Sequence, residues 1–207
     1  MTNLADAERA AAAGAWAIGL IFYPSSPRRC ELDAASEIGA AFKRRLEVVG
    51  VFVHPTLEYV TQVAEAAELT MLQFHGDEGP AFCSEAARRT GCKVIKAARV
   101  RSGAEIQALA PFHTDFHLLD SYAPGLPGGT GESFAWELAR EHRGKLPLIL
   151  SGGLTADNVA QAIEVVAPFA VDVASGVELS PGRKDPAKLE AFSHAVAGAH
   201  AATRTAV

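Results

Sequence analysis

The chain has 207 residues, 49% of them hydrophobic and 21% charged, enough to bury the core of one large domain or two small ones. A net charge of -5, with no basic run longer than Lys43-Arg44-Arg45, argues against nucleic acid as a partner. No apolar run approaches the roughly 18 residues of a membrane span, and Cys30, Cys83 and Cys92 have neither disulfide-framework nor metal-ligand spacing, which fits a reduced, cytoplasmic compartment without membrane contact.

Thr2 and Asn3 are N-cap residue types ahead of the alanine-rich stretch 4–13, and Gly14 supplies a stop, so the chain opens on a helix. Residues 15–22 form a nearly continuous apolar run, the mark of a strand covered on both faces. Leu32, Ala35, Ile38 and Phe42 have helical spacing, 48–53 is a β-branched strand, 56–67 a helix and 71–74 a short strand. Pro80 suits a first helical residue, Gly91 ends that helix, and 94–98 reads as strand. Ser102 and Glu105 have capping-box spacing and open a helix to residue 109.

Residues 117–120 are then strand, 134–142 helix and 148–151 strand. Thr155 is expected to cap a helix to residue 166, 170–174 reads as strand, and Asp185-Pro186 opens a last helix to about residue 196. The small, polar tail from Gly198 is expected to fray.

This alternation predicts an α/β fold with a parallel sheet. A doubly wound nucleotide-binding fold would want Gly-x-Gly-x-x-Gly after its first strand, and the sequence has none. The reading gives eight helices against seven strands, which predicts a (β/α)8 TIM barrel missing its first β-strand. With no linker, residues 1–207 read as a single domain, about 198–207 being a flexible tail.

Barrel function lies in the loops after the carboxyl ends of the strands. There the strand 117–120 ends in Asp120, ahead of a Gly/Pro-rich loop, where an acid either caps the turn or transfers a proton. Ser151-Gly152-Gly153 and Ser175-Gly176 follow later strands; glycines let backbone approach a ligand, and this pair of loops predicts phosphate binding rather than tight turns alone. Arg28, in a rigid Pro/Ser loop, could hold a carboxylate bidentately or be merely solvated, while Arg29 faces water. Gln73 and His75 share one strand face, as substrate contacts or as structural residues. Lys96 and Arg99 could touch substrate or pair with neighbouring carboxylates. Buried free thiol is the default for the three cysteines.

Several segments together resemble the phosphoribosylanthranilate isomerases of tryptophan biosynthesis. They are Gly19-Leu20-Ile21-Phe22-Tyr23-Pro24-Ser25-Ser26-Pro27-Arg28, Leu72-Gln73-Phe74-His75-Gly76-Asp77, Leu118-Leu119-Asp120-Ser121, Pro127-Gly128-Gly129-Thr130-Gly131, Leu150-Ser151-Gly152-Gly153-Leu154 and Val171-Asp172-Val173-Ala174-Ser175-Gly176-Val177-Glu178, in family order. The resemblance implies an Amadori rearrangement of N-(5-phosphoribosyl)anthranilate, a small phosphorylated substrate, with no cofactor and no metal, by a monomer or homodimer. It makes Asp120 the general acid that protonates the ribose ring oxygen. Arg28 would hold the anthranilate carboxylate, with Gln73, His75 and Asp172 as further substrate-side residues; Gly152, Gly153, Ser175 and Gly176 would bind the phosphate. Residues 127–131 would form the loop covering the site.

The family's general base is a cysteine in an opening Lys-[Ile/Phe]-Cys-Gly-x-Thr motif, whose end aligns with Met1-Thr2. The expectation is a true start upstream of Met1, which would restore that cysteine; the alternative is an inactive, truncated barrel that binds phosphate ligands without chemistry. An indole-glycerol-phosphate synthase is disfavoured, because its lysine and glutamate constellation has no place at the strand ends.

Overall fold

The computed structural model describes residues 1–120, 136–140, 142 and 146–205, the side chains of 200–205 excepted. Strand order in the main, seven-stranded sheet follows chain order throughout. The backbone groups into two compact units: 1–96 with 112–115 and 179–184, and 97–111 with 116–178 and 185–207.

In the first unit, α1 (Leu4–Ala12) is capped by the Asn3 side chain, which accepts from the Asp6 amide. Strands β1 (Ala17–Ile21), β2 (Glu47–Phe52), β3 (Met71–Phe74) and β4 (Lys93–Arg99) pair parallel, with Gly50 opposite Leu72 and Gln73 opposite Ile95. Helices α2 (Leu32–Phe42), α3 (Leu57–Ala66) and α4 (Pro80–Thr90) connect them. Pro80 opens α4 and Gly91 ends it in the left-handed region at φ 70°, as expected, while Thr56, read as the first helical residue, instead caps α3 by accepting from the Tyr59 amide. The apolar faces of α2 and α4 and the strands bury Ile18, Leu20, Ile38, Phe42 and Leu72 in one core. An aromatic run, Phe22–Phe52–Phe74–Phe82, threads it with centroid spacings of 5.4, 6.1 and 5.3 Å.

In the second unit the capping box of Ser102 and Glu105 forms, opening α5 (Gly103–Gln107). Strands β5 (Phe116–Asp120), β6 (Leu148–Ser151) and β7 (Ala170–Val171) pair parallel, with Leu118, Leu119 and Leu150 fully buried. Residues 136–139 are helical; the remainder of the helix expected at 134–142, apart from 140 and 142, lies outside the described residues.

Three boundaries differ from expectation. Thr155 does not cap the next helix, α6, which begins only at Val159 and runs to Val166. The Asn158 side chain folds back to accept from the Thr155 amide at 2.8 Å, and that turn delays the helix. Strand β7 has two residues rather than five, because a 3-10 turn (Ser175–Val177) and a two-stranded sheet of β8 (Glu178–Ser180) and β9 (Arg183–Lys184) follow it closely. The last helix, α7, runs Pro186–Thr205, well beyond residue 196; Asp185 caps it through the Ala187 and Lys188 amides, and alanine-rich sequence carries it past Gly198.

Candidate active site

In the first unit, Arg28 is placed by two turns in succession. Ser26 N–H donates to the Tyr23 carbonyl at 3.0 Å and Arg29 N–H to the Ser26 carbonyl at 3.1 Å, with Pro24 and Pro27 each second in its turn, where a fixed φ is preset. The Arg28 amide also donates to Ser26 Oγ at 3.1 Å, and Arg28 is half-buried. Its neighbour Arg29 is exposed and pairs with Glu31 at 3.3 Å. Arg28 is therefore held by a stiff loop just beyond β1 rather than by a helix or strand.

Gln73 and His75 lie at the carboxyl end of β3, on the same face, with Gln73 Nε2 2.5 Å from His75 Nε2. The amide donates to the ring nitrogen when the histidine carries its proton on Nδ1. His75 N–H extends the ladder onto the Phe52 carbonyl at 3.0 Å. Lys96 takes the pairing alternative rather than an open strand-end position. Its ammonium sits 3.1 Å from Glu78 Oε2, donates to the Gly76 carbonyl at 2.6 Å, and lies over the Phe112 ring. Both charged side chains are nearly inaccessible, at 6% and 3% exposure.

In the second unit, Asp120 closes β5, half-buried, in register with Ser151 at the end of β6. Ser151 Oγ donates to Asp172 Oδ2 at 2.9 Å, so the hydroxyl steers the carboxylate just past β7. Gly152 and Gly153 have φ of 98° and 64°, a conformation that a side chain resists. Asn158 braces this loop by donating to the Gly153 carbonyl at 3.1 Å. Gly176 belongs to the 3-10 turn, where an added Cβ would stand 1.9 Å from the Leu154 carbonyl oxygen. The two glycine loops therefore touch, and Gly176 tolerates no side chain at the contact. Ser175 beside it is exposed.

Of the expected residues, Asp120, Gly152, Gly153, Asp172, Ser175 and Gly176 thus cluster at the strand ends of one unit, and Gln73 and His75 at those of the other. Sequence reasoning missed Glu78 and His54, and took Ser151 only as part of the glycine loop. The Leu72-Gln73-Phe74-His75-Gly76-Asp77 segment ends one residue short of Glu78, the available signal. The loop at 127–131 lies outside the described residues. The cysteine thiols are buried and free, and burial pushes all three up, Cys83 to about 11. Among the described residues no group of three or more His, Cys, Asp or Glu side chains is arranged to hold a metal ion. Nor is any described helix long and apolar enough to cross a membrane.

Parallel strands in chain order, with polar residues gathered at their carboxyl ends and glycine loops after the last two, define an α/β protein of the TIM-barrel class. The family model described as "PRAI: N-(5'phosphoribosyl)anthranilate (PRA) isomerase" matches residues 1–195. An N-(5'-phosphoribosyl)anthranilate isomerase of Citrifermentans bemidjiense is 47% identical over 91% of this chain and 90% of its own length. The phosphoribosyl anthranilate isomerase of Thermotoga maritima superposes with a TM-score of 0.86 at 38% identity, covering 96% of each chain. A phosphoribosyl anthranilate isomerase solved in complex with reduced 1-(o-carboxyphenylamino)-1-deoxyribulose 5-phosphate gives a TM-score of 0.83 at 36% identity, over 96% of this chain and 95% of the other. The chain belongs to the N-(5'-phosphoribosyl)anthranilate isomerase family, enzymes of tryptophan biosynthesis.

Proposed function

We propose that this chain isomerises N-(5-phosphoribosyl)anthranilate to 1-(2-carboxyphenylamino)-1-deoxyribulose 5-phosphate, with Asp120 as the general acid. The observation that carries the reading is the placement of Asp120 at the carboxyl end of β5, in register with Ser151, which leads directly into the Gly152-Gly153 loop. Asp120 in its acid form gives its proton to the ribose ring oxygen. The bond from that oxygen to C1 breaks, and the aryl nitrogen's electron pair completes a protonated Schiff base. Loss of the C2 proton to a base then gives an enolamine, which becomes the ketone as C1 takes up a proton and the C2 hydroxyl gives one up. Cys30, Cys83 and Cys92 are unsuited to be that base, since burial keeps each as a neutral thiol.

The remaining roles follow from charge and shape. Gly152, Gly153, Ser175 and Gly176 present backbone and a hydroxyl to the phosphate, a job that positive-φ glycines do by letting amides converge on an anion. Asp172, steered by Ser151, takes a supporting place beside the sugar. Arg28 holds the anthranilate carboxylate by its guanidinium fork, and Gln73 and His75 contact the substrate from the end of β3. The reading takes 1–207 as one barrel domain of a cytoplasmic enzyme, monomeric or homodimeric, without cofactor or nucleic-acid partner.

Incubating the purified protein with phosphoribosylanthranilate and following the ketose product by chromatography tests it. Conversion is expected; tight binding of the reduced product analogue with no conversion would contradict the proposal.

A further inference from the structure

We infer that Glu78, through its buried pair with Lys96, is a positioning residue that sets His75 and the neighbouring loops for substrate. This rests on the function proposed above.

Glu78 Oε1 accepts from the His54 backbone amide at 2.7 Å, just past β2, while Oε2 faces the Lys96 ammonium on β4 at 3.1 Å. Lys96 in turn donates to the Gly76 carbonyl at 2.6 Å, the residue after His75. One buried pair thereby ties the segments following β2 and β3 to β4. His54 is held at φ 50°, a conformation that non-glycine residues adopt at a cost, and the carboxylate bonds its amide there. A Cβ on Gly76 would stand 2.7 Å from Glu78 Oε1 and 2.8 Å from the His54 ring, so the three residues leave each other no slack.

Stability alone is a poor reason for this arrangement. Two charges out of water cost several kcal/mol each to desolvate, and replacing a buried pair by uncharged groups of similar volume is often neutral or favourable. What the pair does supply is location. His75 has its own amide on the Phe52 carbonyl and its ring on the Gln73 amide, and the carbonyl of the next residue is on Lys96, so the ring is held once and the backbone is held at His75 itself and at Gly76.

The variant that separates positioning from folding is Glu78→Gln with Lys96→Met. It removes both charges, keeps an acceptor for the His54 amide, and leaves the Gly76 carbonyl without its donor. Calorimetry would measure affinity for the reduced product analogue and for inorganic phosphate, alongside the melting temperature. Expected are a melting temperature close to the parent's, an analogue affinity weaker by about tenfold, the worth of one lost hydrogen bond, and an unchanged phosphate affinity. Parental analogue affinity, or parallel loss for analogue and phosphate, would overturn the inference while leaving the proposed function standing. A parent that fails to bind the analogue at all would sink the proposed function, and this inference with it. Should the double variant not fold, Glu78→Asp keeps the charge pair but shortens the reach to His54, and the same split between analogue and phosphate decides.

Discussion

The strand-end loops of the two units are held in place by opposite means. After β2 and β3 in the first, a buried carboxylate and ammonium bond two backbone groups, the His54 amide and the Gly76 carbonyl. After β6 and β7 in the second, close backbone approach does most of the work, with Gly152 and Gly153 at positive φ and Gly176 against the Leu154 carbonyl, helped by the Asn158 brace on Gly153. A loop fixed by ions depends on two specific partners. A loop fixed by close backbone approach depends on a hydrogen atom where a methyl would go. The first arrangement suits side chains that must point somewhere definite, such as His75, and the second suits backbone amides that must converge on an anion.

The contrast predicts different ways to break the two regions. Lys96→Met alone leaves Glu78 buried without its counter-charge, and urea unfolding should show a loss of about 3–5 kcal/mol. Gly176→Ala forces the loop away from Leu154 and should cost about 1–3 kcal/mol, with phosphate affinity falling by more than the analogue's other contacts can recover. Gly152→Ala puts a side chain at φ 98°, and a loss of about 1–2 kcal/mol by the same measurement is the expected cost of that strain.

A smaller effect depends on pH. Asp6 is pushed up by burial, but the Lys184 amide, Asn3 and Arg9 together outweigh this and leave its carboxyl below the usual range. A depressed carboxyl contributes stability above its unfolded pKa of about 4 and loses it as pH falls through the folded value. Asp6→Asn should accordingly flatten the acid limb of the stability curve below about pH 4 and lower stability near neutrality. The smallest change concerns Cys83: in the folded protein at pH 8 it should resist alkylation until denaturant is added, as a thiol near 11 requires.

The two regions also differ in how far they could be read from sequence. Asn3, Pro80, Gly91 and the Ser102–Glu105 box act within one turn of the chain, and each does in the structure what its local chemistry predicts. The glycine loops were legible as backbone that must bend or approach closely, and Gly152 and Gly153 at positive φ and Gly176 against Leu154 show that conformation. Glu78 was not, because its partners lie 18 and 24 residues away, and only strand pairing brings them together. Thr155 misled because Asn158 competes for the same turn and takes its amide. The last helix outran its expected end because alanine propensity outweighed a single glycine at 198.

In the proposed reaction Asp120 supplies the proton that opens the sugar ring. Turnover of phosphoribosylanthranilate by the Asp120→Asn protein tests it most directly, with affinity for the reduced product analogue measured in parallel. The expected result is a kcat lower by about 10²–10⁴, the usual worth of a general acid, with analogue affinity within a few-fold of the parent. Turnover at the parental rate in that variant would contradict the claim.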